Sequence, residues 1–390
     1  MLMEEALQQS AGGVLTIDLG ALASNYRQLA VRCRPAVAAA VIKADAYGLG
    51  ARHVAGALEA AGCQHFFVAH LAEALDVRPV LAPETKIYVL NGLQPGGEAT
   101  CAAAGIIPVL NSLEQAGLWR DLARELDRPL PAVVQIDSGM SRLGLSPKDV
   151  EVLATDAGFF ENVPMALVMS HLACSDEPGH LANVEQARRF DALANRLPVA
   201  PSSLASSGGV FLGAAFHGDG VRLGVSLYGA APNAHRPNPM APVARLDARV
   251  IQFRDIPAGQ GVGYGLTHSR PSPSRIATIA VGYADGWPRA LSNVGAAYYQ
   301  GLRLPIAGRV SMDSITLDVS ALAERGLALK LGDRVELLGP HQSLEDVARD
   351  AGTISYEILT SFGRRYHRTY VEGPTMQQHF VSPSQAKARA

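Results

Sequence analysis

Ala36-Val37-Ala38-Ala39-Ala40-Val41-Ile42-Lys43-Ala44-Asp45-Ala46-Tyr47-Gly48 is the stretch on which the fold turns. Seven apolar residues run without alternation, the pattern of a strand buried on both faces, and a lysine then ends the run. Similar runs recur at 65–69, 86–90, 106–110, 132–136, 165–170, 201–205 and 221–227. Between them lie Ala- and Leu-rich segments with helical spacing, such as 112–126 and 181–197. Eight strands with helical crossovers in about 200 residues predict an α/β fold, a (β/α)8 TIM-type barrel. A doubly wound open sheet is the rival, but no G-x-G-x-x-G follows the first strand.

The character changes beyond residues 231–242, where four prolines and no periodicity read as a linker. Short strands are expected at 246–253, 275–283, 304–306, 314–319, 334–338 and 365–370, separated by Gly, Pro and Asp turns. One helix is expected at 343–350, opening with Ser343 and carrying acidic residues in its first turn. The expected organisation is a disordered N-terminus at 1–12, a barrel at 13–235, a β-rich domain at 236–380 and a flexible tail at 381–390. The early strand at 14–19 precedes the barrel pattern and is free to pair with either domain.

The 390 residues are 48% hydrophobic, enough for a large core. A net charge of −2, with no long basic run, argues against nucleic acid or an anionic membrane as partner. The four cysteines, Cys33, Cys63, Cys101 and Cys174, form no C-x-x-C pair, so neither a disulfide framework nor a zinc site is expected. No metal is expected. Residues 1–10 lack the apolar core of a signal peptide, and no apolar run is long enough to span a membrane. The expectation is a soluble cytoplasmic protein.

In an enzyme barrel the reactive groups stand at the carboxyl ends of the strands. Lys43, one of five lysines, alone directly follows a buried run. Its amine either snorkels out of the rim or, desolvated, is freed to form a Schiff base. After the fifth strand, Asp137-Ser138-Gly139-Met140-Ser141-Arg142 places an arginine in a small-residue loop, as an anion clamp or a surface residue. The sixth strand ends at Ser170-His171, and a lone histidine is more often structural. Ser206-Ser207-Gly208-Gly209 and Gly220-Val221-Arg222-Leu223-Gly224-Val225 follow or surround the last two strands, where barrels often cradle a phosphate; ordinary turns have the same composition. A lysine and a phosphate cradle together suggest a phosphorylated aldehyde cofactor held at both ends. The second half offers Tyr283, Met312, Asp313 and Tyr356 in glycine- and serine-rich turns, where a tyrosine either exchanges protons or packs.

The stretch from Val41 to Gly50 resembles the cofactor-attachment signature of the alanine racemases, fold-type III pyridoxal-phosphate enzymes. The likeness continues in order at 137–144, 170–171, 206–207, 221–229, 282–287, 308–313 and 355–357, across nearly the whole chain. The resemblance implies a racemase that interconverts L- and D-alanine by two bases and supplies D-alanine for peptidoglycan. It implies pyridoxal 5'-phosphate on Lys43, which also serves one face of the substrate carbon. Tyr283 serves the other face from the partner subunit of a head-to-tail homodimer. Tyr47, Ser207, Gly224, Val225 and Tyr356 match phosphate-holding positions. Arg222 matches the residue on the pyridine nitrogen, with His171 nearby. Arg142 matches a contact to cofactor phenolate and substrate carboxylate, and Met312 and Asp313 match partner-chain residues, Met312 likewise donated across subunits.

Two departures stand out. Gln135 occupies a position where many relatives have a carbamylated lysine that orients the arginine equivalent to Arg142, and Ser206 stands where asparagine is common. A broad-specificity racemase or a fold-type III decarboxylase is the alternative. Decarboxylases of this type place an acid where this chain has Arg222. A non-catalytic cofactor carrier would lack the second domain.

Overall fold

A computed structural model describes residues 9–233 and 237–373. The chain divides into two compact units, one running Leu22–Met240 and the other taking the chain up to Ala21 and again from Ala241 onward.

The first unit is an eight-stranded parallel barrel. Its strands are β2 (Val37–Val41), β3 (His65–Val68), β4 (Lys86–Val89), β5 (Ile107–Leu110), β6 (Ala132–Gln135), β7 (Met165–Met169), β8 (Ser202–Ser203) and β9 (Gly220–Leu223). They pair in the order β8-β7-β6-β5-β4-β3-β2-β9, all in parallel. The ring is nearly closed between β8 and β9 by single bridges, Ser206 to Arg222 and Ser203 to Gly218. Ala38–Val41 and the whole of β5 and β6 are buried, which is why these segments read as unbroken apolar runs. Crossover helices start where the sequence supplies caps. Ser112 accepts the Gln115 N–H ahead of Leu113–Glu125, and Ser146 forms a capping box with Asp149 ahead of Pro147–Thr155.

Several boundaries differ from the sequence reading. The run 221–227 is a strand only to Leu223; Gly224 breaks it, and Val225–Tyr228 form a 3-10 turn. The run 201–205 keeps two ladder residues, Ser202–Ser203. In both places apolar burial continues after the ladder stops, and hydropathy cannot separate the two.

The second unit is β-rich. Its strands are β1 (Gly13–Asp18), β10 (Ala244–Ile256), β11 (Ser274–Ile279), β12 (Ala296–Tyr299), β13 (Leu302–Pro305), β14 (Ile315–Asp318), β15 (Arg334–Leu338) and β16 (His367–Val371). The path is β13-β12-β15-β10-β1-β16, with β11 and β14 branching from β10. The early strand β1 thus belongs here, antiparallel to β10 and parallel to β16. The helix Leu344–Ala351 follows its Ser343 cap. Strand β12, Ala296-Ala297-Tyr298-Tyr299, is apolar throughout but too short to stand out, and is absent from the sequence reading. The segment expected at 275–283 ends as a strand at Ile279, and its last residues turn to carry Tyr283.

Of the expected disordered N-terminus, residues 1–8 lie outside the described residues. Ala11 and Gly12 are ordered, their carbonyls accepting from Arg249 Nε and its backbone N–H. The tail at 381–390 and linker residues 234–236 also lie outside the described residues. Among the described residues no helix is long and apolar enough to cross a membrane, and no His, Cys, Asp and Glu group is placed to hold a metal ion.

Candidate active site

Because β2–β9 run parallel, their carboxyl ends share one end of the barrel. Lys43 follows β2 by two residues, Gln135 ends β6, His171 follows β7, Ser206 and Ser207 follow β8, and Arg222 with Gly224 lies at the end of β9. The structure therefore brings together residues spread over most of the first unit.

The segment after Lys43 is unusual backbone. Ala44, Asp45, Ala46 and Tyr47 are all left-handed, with φ of 54, 54, 53 and 56°. For residues with a Cβ this costs roughly 1–2 kcal/mol each, so other interactions must hold the turn. Glu73 Oε1 accepts the Ala44 N–H at 2.7 Å, and its Oε2 accepts the N–H groups of Ala69 at 2.7 Å and His70 at 3.1 Å. At the far end Asp45 Oδ1 accepts from Ala51 N–H at 2.7 Å. Tyr47 is buried against the Tyr228 ring, centroids 4.6 Å apart, and the Tyr228 hydroxyl donates to the Val41 carbonyl at 2.9 Å. The turn thereby lifts Lys43 out of the strand and returns Tyr47 to the barrel.

Burial lowers the Lys43 pKa, the nearby Arg142 charge lowers it further, and Glu73 opposes them. The amine is thus biased toward its neutral, nucleophilic form. Arg222 is buried, and among the described residues no carboxylate pairs with it. Its Nη1 donates to the Ser203 carbonyl at 2.9 Å and the Ser203 hydroxyl at 2.6 Å. Its Nη2 donates to the carbonyls of Ser170 and Leu204 and lies 3.5 Å from His171 Nδ1. Nε has no partner among the described residues. Burial brings the Arg222 pKa down to about 10, leaving it cationic at neutral pH.

His171 is pushed down to about 3, first by burial and then by Arg222, Arg142 and Lys43. It is a neutral imidazole throughout the physiological range. The unfolded chain takes up its proton near 6.5, so between about 6.5 and 3 it binds more protons than the cofactor-free fold. Stability drawn from this site is therefore lost as pH falls through that window. We expect the His171 ring to show no NMR titration between pH 5 and 8. Cofactor-free His171→Gln should lose less stability than the unmodified chain when pH is lowered from 7 to 5; an equal loss would place the effect elsewhere.

Ser207, Gly224 and Tyr47 meet alongside. Ser207 Oγ accepts the N–H groups of Gly224 at 2.9 Å and Ser226 at 3.3 Å, leaving its own hydrogen to donate. A Cβ on Gly224 would stand 2.5 Å from the Tyr47 hydroxyl, so glycine is required for this approach. Tyr47, Ser207, Gly224 and Val225 are thus adjacent, although Tyr47 comes from the opposite end of the unit's sequence.

Arg142 makes no hydrogen bond or ion pair among the described residues, and the buried Gln135 amide does not reach it. The loop is fixed instead by Asp137, whose Oδ1 accepts from the N–H groups of Gly139, Met140 and Ser141. Backbone turn chemistry replaces a side-chain tether here.

In the β-rich unit, Tyr283, Met312 and Asp313 form one rim. Tyr283 N–H donates to the Ser311 carbonyl and Ala284 N–H to the Met312 carbonyl, both at 3.0 Å. Arg365 joins the two turns, with Nε 2.8 Å from buried Asp285 and Nη1 2.7 Å from Asp313. Asp285 in turn accepts the Gly282 N–H at 2.8 Å. Tyr283 and Met312 are exposed, at 40% and 52%, with the tyrosine hydroxyl free to face a ligand. Tyr356 is exposed on the short helix Ser355–Thr360. Sequence reasoning missed Glu73, Ser203, Asp285 and Arg365. Glu73 alone left a signal, as an acidic residue in the first turn of the helix Leu71–Val77.

Residues 17–232 match the family described as alanine racemase, N-terminal domain, and residues 243–370 match alanine racemase, C-terminal domain. A protein of Agrobacterium fabrum named "Alanine racemase, catabolic" is 55% identical over 98% of both chains. An alanine racemase of Brucella canis is 54% identical over 93% of this chain and 94% of its own. Among solved structures, the alanine racemase of Bartonella henselae with covalently bound pyridoxal phosphate superposes with a TM-score of 0.89 at 44% identity, covering 93% of this chain and all of that one. With both domain families matched in order and more than half of the residues shared over nearly the full length, the chain belongs to the alanine racemase family.

Proposed function

We propose that this chain interconverts L- and D-alanine, with pyridoxal phosphate on Lys43. The observation that carries the reading is the charge of the barrel site. Lys43, Arg142 and Arg222 converge around a neutral histidine, and Glu73 is the one anion acting on Lys43. Such a basin is matched to an anionic ligand.

The residues fit the cofactor at both ends. The partly desolvated amine of Lys43 suits covalent attachment, the Ser207–Gly224–Tyr47 cradle suits a phosphate, and the spare Arg222 Nε suits an acceptor nitrogen. The substrate amine would have to displace the Lys43 amine from the cofactor, which would then acidify the Cα proton by withdrawing electrons from that carbon and leave the lysine nitrogen free to act as a base. Lys43 Nζ then exchanges the proton on one face and Tyr283 Oη on the other, as inversion of a single carbon requires. Arg222 cannot readily surrender a proton, so a pyridine nitrogen held by it would stay unprotonated and the cofactor's electron withdrawal would be limited. Arg142 holds the substrate carboxylate, Tyr356 adds to the phosphate site, and Tyr283, Met312 and Asp313 serve the partner barrel of a head-to-tail homodimer. The product supplies peptidoglycan assembly in the cytoplasm, a compartment in keeping with four free cysteines. The Agrobacterium fabrum relative, named a catabolic alanine racemase, supports a second role in alanine catabolism.

The test is proton NMR of L-alanine with the protein and pyridoxal phosphate in heavy water, with chiral analysis of the same sample. Loss of the Cα proton together with D-alanine is the expected result; a cofactor-loaded protein giving neither would end the reading. Gly224→Ala is expected to weaken pyridoxal-phosphate binding roughly 10- to 100-fold, since overpacking costs about 1–3 kcal/mol. Unchanged affinity by fluorescence titration would remove the cradle.

A further inference from the structure

We propose that Glu73 is a positioning residue for Lys43, holding the left-handed turn 44–47 so that the amine is fixed toward Arg142. The inference rests on the reading of Lys43 as the attachment site.

Three observations converge on this carboxylate. It is shared by three backbone N–H groups, those of Ala69 and His70 at the end of β3 and that of Ala44 immediately after Lys43. It thus ties the reactive segment at the end of β2 to the neighbouring strand. The segment it holds is the strained one: four successive non-glycine residues at positive φ have a right-handed alternative that is intrinsically more stable. Ala44 N–H has no other partner, so losing Glu73 removes the restraint where the strain begins. Finally, Glu73 is the anion acting on Lys43, against Arg142; His171 and Arg222 are the other ionisable groups of the cluster. A relaxed turn would swing the lysine away from its place while leaving the barrel intact, because the barrel ladder does not pass through residues 44–47.

The roles of reach and charge separate in two variants of the full-length holoenzyme. Glu73→Gln removes the charge and turns one acceptor into a donor facing N–H groups. Glu73→Asp keeps the charge but shortens the reach by one methylene. In both, kcat for alanine should fall roughly 10- to 100-fold, the scale of a misplaced reacting group, with KM moving less than about threefold. The visible spectrum gives a second readout, the pH midpoint of the lysine-bound cofactor nitrogen. It should fall by about one unit in Glu73→Gln and stay near its original value in Glu73→Asp. If either folded variant keeps wild-type kcat while only its melting temperature drops, Glu73 is merely structural and the proposal is overturned. Should Glu73→Gln fail to fold, Glu73→Asp decides alone on the same kcat criterion. Borohydride trapping and peptide mapping keep the two readings apart. Cofactor on Lys86, Lys148, Lys330 or Lys387 of the unmodified protein would refute the Lys43 assignment itself. Trapping on Lys43, with Glu73 variants indistinguishable from wild type, refutes only the positioning role.

Discussion

Lys43→Ala is expected to fold, to bind pyridoxal phosphate weakly and reversibly, and to racemise alanine more than about 10⁴-fold more slowly than the unmodified chain. Two functions disappear with one amine: covalent retention of the cofactor and proton exchange on one face of the substrate, the latter alone worth roughly 10²–10⁴. Fold retention follows from the position. Lys43 lies beyond the last ladder residue of β2, and the Glu73 and Asp45 bonds run to the backbone of Ala44 and Ala51, not to the lysine. Circular dichroism, borohydride trapping and the chiral assay together check this. Substantial racemisation by the folded variant would show that another group carries the chemistry.

Tyr283→Phe is expected to retain the cofactor at Lys43 while slowing racemisation roughly 10²–10⁴-fold, the usual worth of one acid–base group. The change removes one hydroxyl and leaves the backbone bonds from Tyr283 to Ser311 and from Ala284 to Met312 in place. The same variant tests the donation of Tyr283 across subunits. Lys43→Ala and Tyr283→Phe chains, mixed and reassembled, should recover about a quarter of wild-type activity, since half of the random dimers are hybrids with one intact site of two. No recovery in hybrids verified by native mass spectrometry would place Tyr283 in the same subunit as its Lys43.

How legible this was varies with the physical range of each interaction. The barrel is readable because strands covered on both faces must be apolar throughout, and that leaves unbroken runs in the sequence. Strand ends then bring Lys43 and His171 forward as candidates, while Arg222, near the start of the run read at 221–227, is singled out only by the resemblance. The left-handed turn leaves no trace, since Ala44-Asp45-Ala46-Tyr47 has nothing in its composition to demand positive φ. Part of what holds it comes from outside, from a carboxylate 29 residues away. Arg365 and Asp285 are likewise invisible, because each is defined by a partner distant in sequence. The Gln135 departure was readable as a question about what steadies Arg142. The answer, an acceptor at Asp137 for three successive N–H groups, depends on loop geometry that residue types do not encode.

The strand that begins the β-rich sheet carries a consequence for biosynthesis. Val14 is paired on one side with Asp247 and on the other with His367, so the whole barrel sequence separates it from its nearer neighbour. A chain emerging from the ribosome presents this strand well before β10 and longer still before β16. The barrel, whose strands mostly pair with near sequence neighbours, has every ladder partner available long before then. Its first strand β2 and last strand β9 meet once Leu223 is out. Until β10 follows, the apolar residues Val14, Leu15 and Ile17 have no antiparallel partner. The strand therefore waits through synthesis of the whole barrel before its own sheet can start to form, a contact of high sequence separation that the barrel ladders mostly avoid.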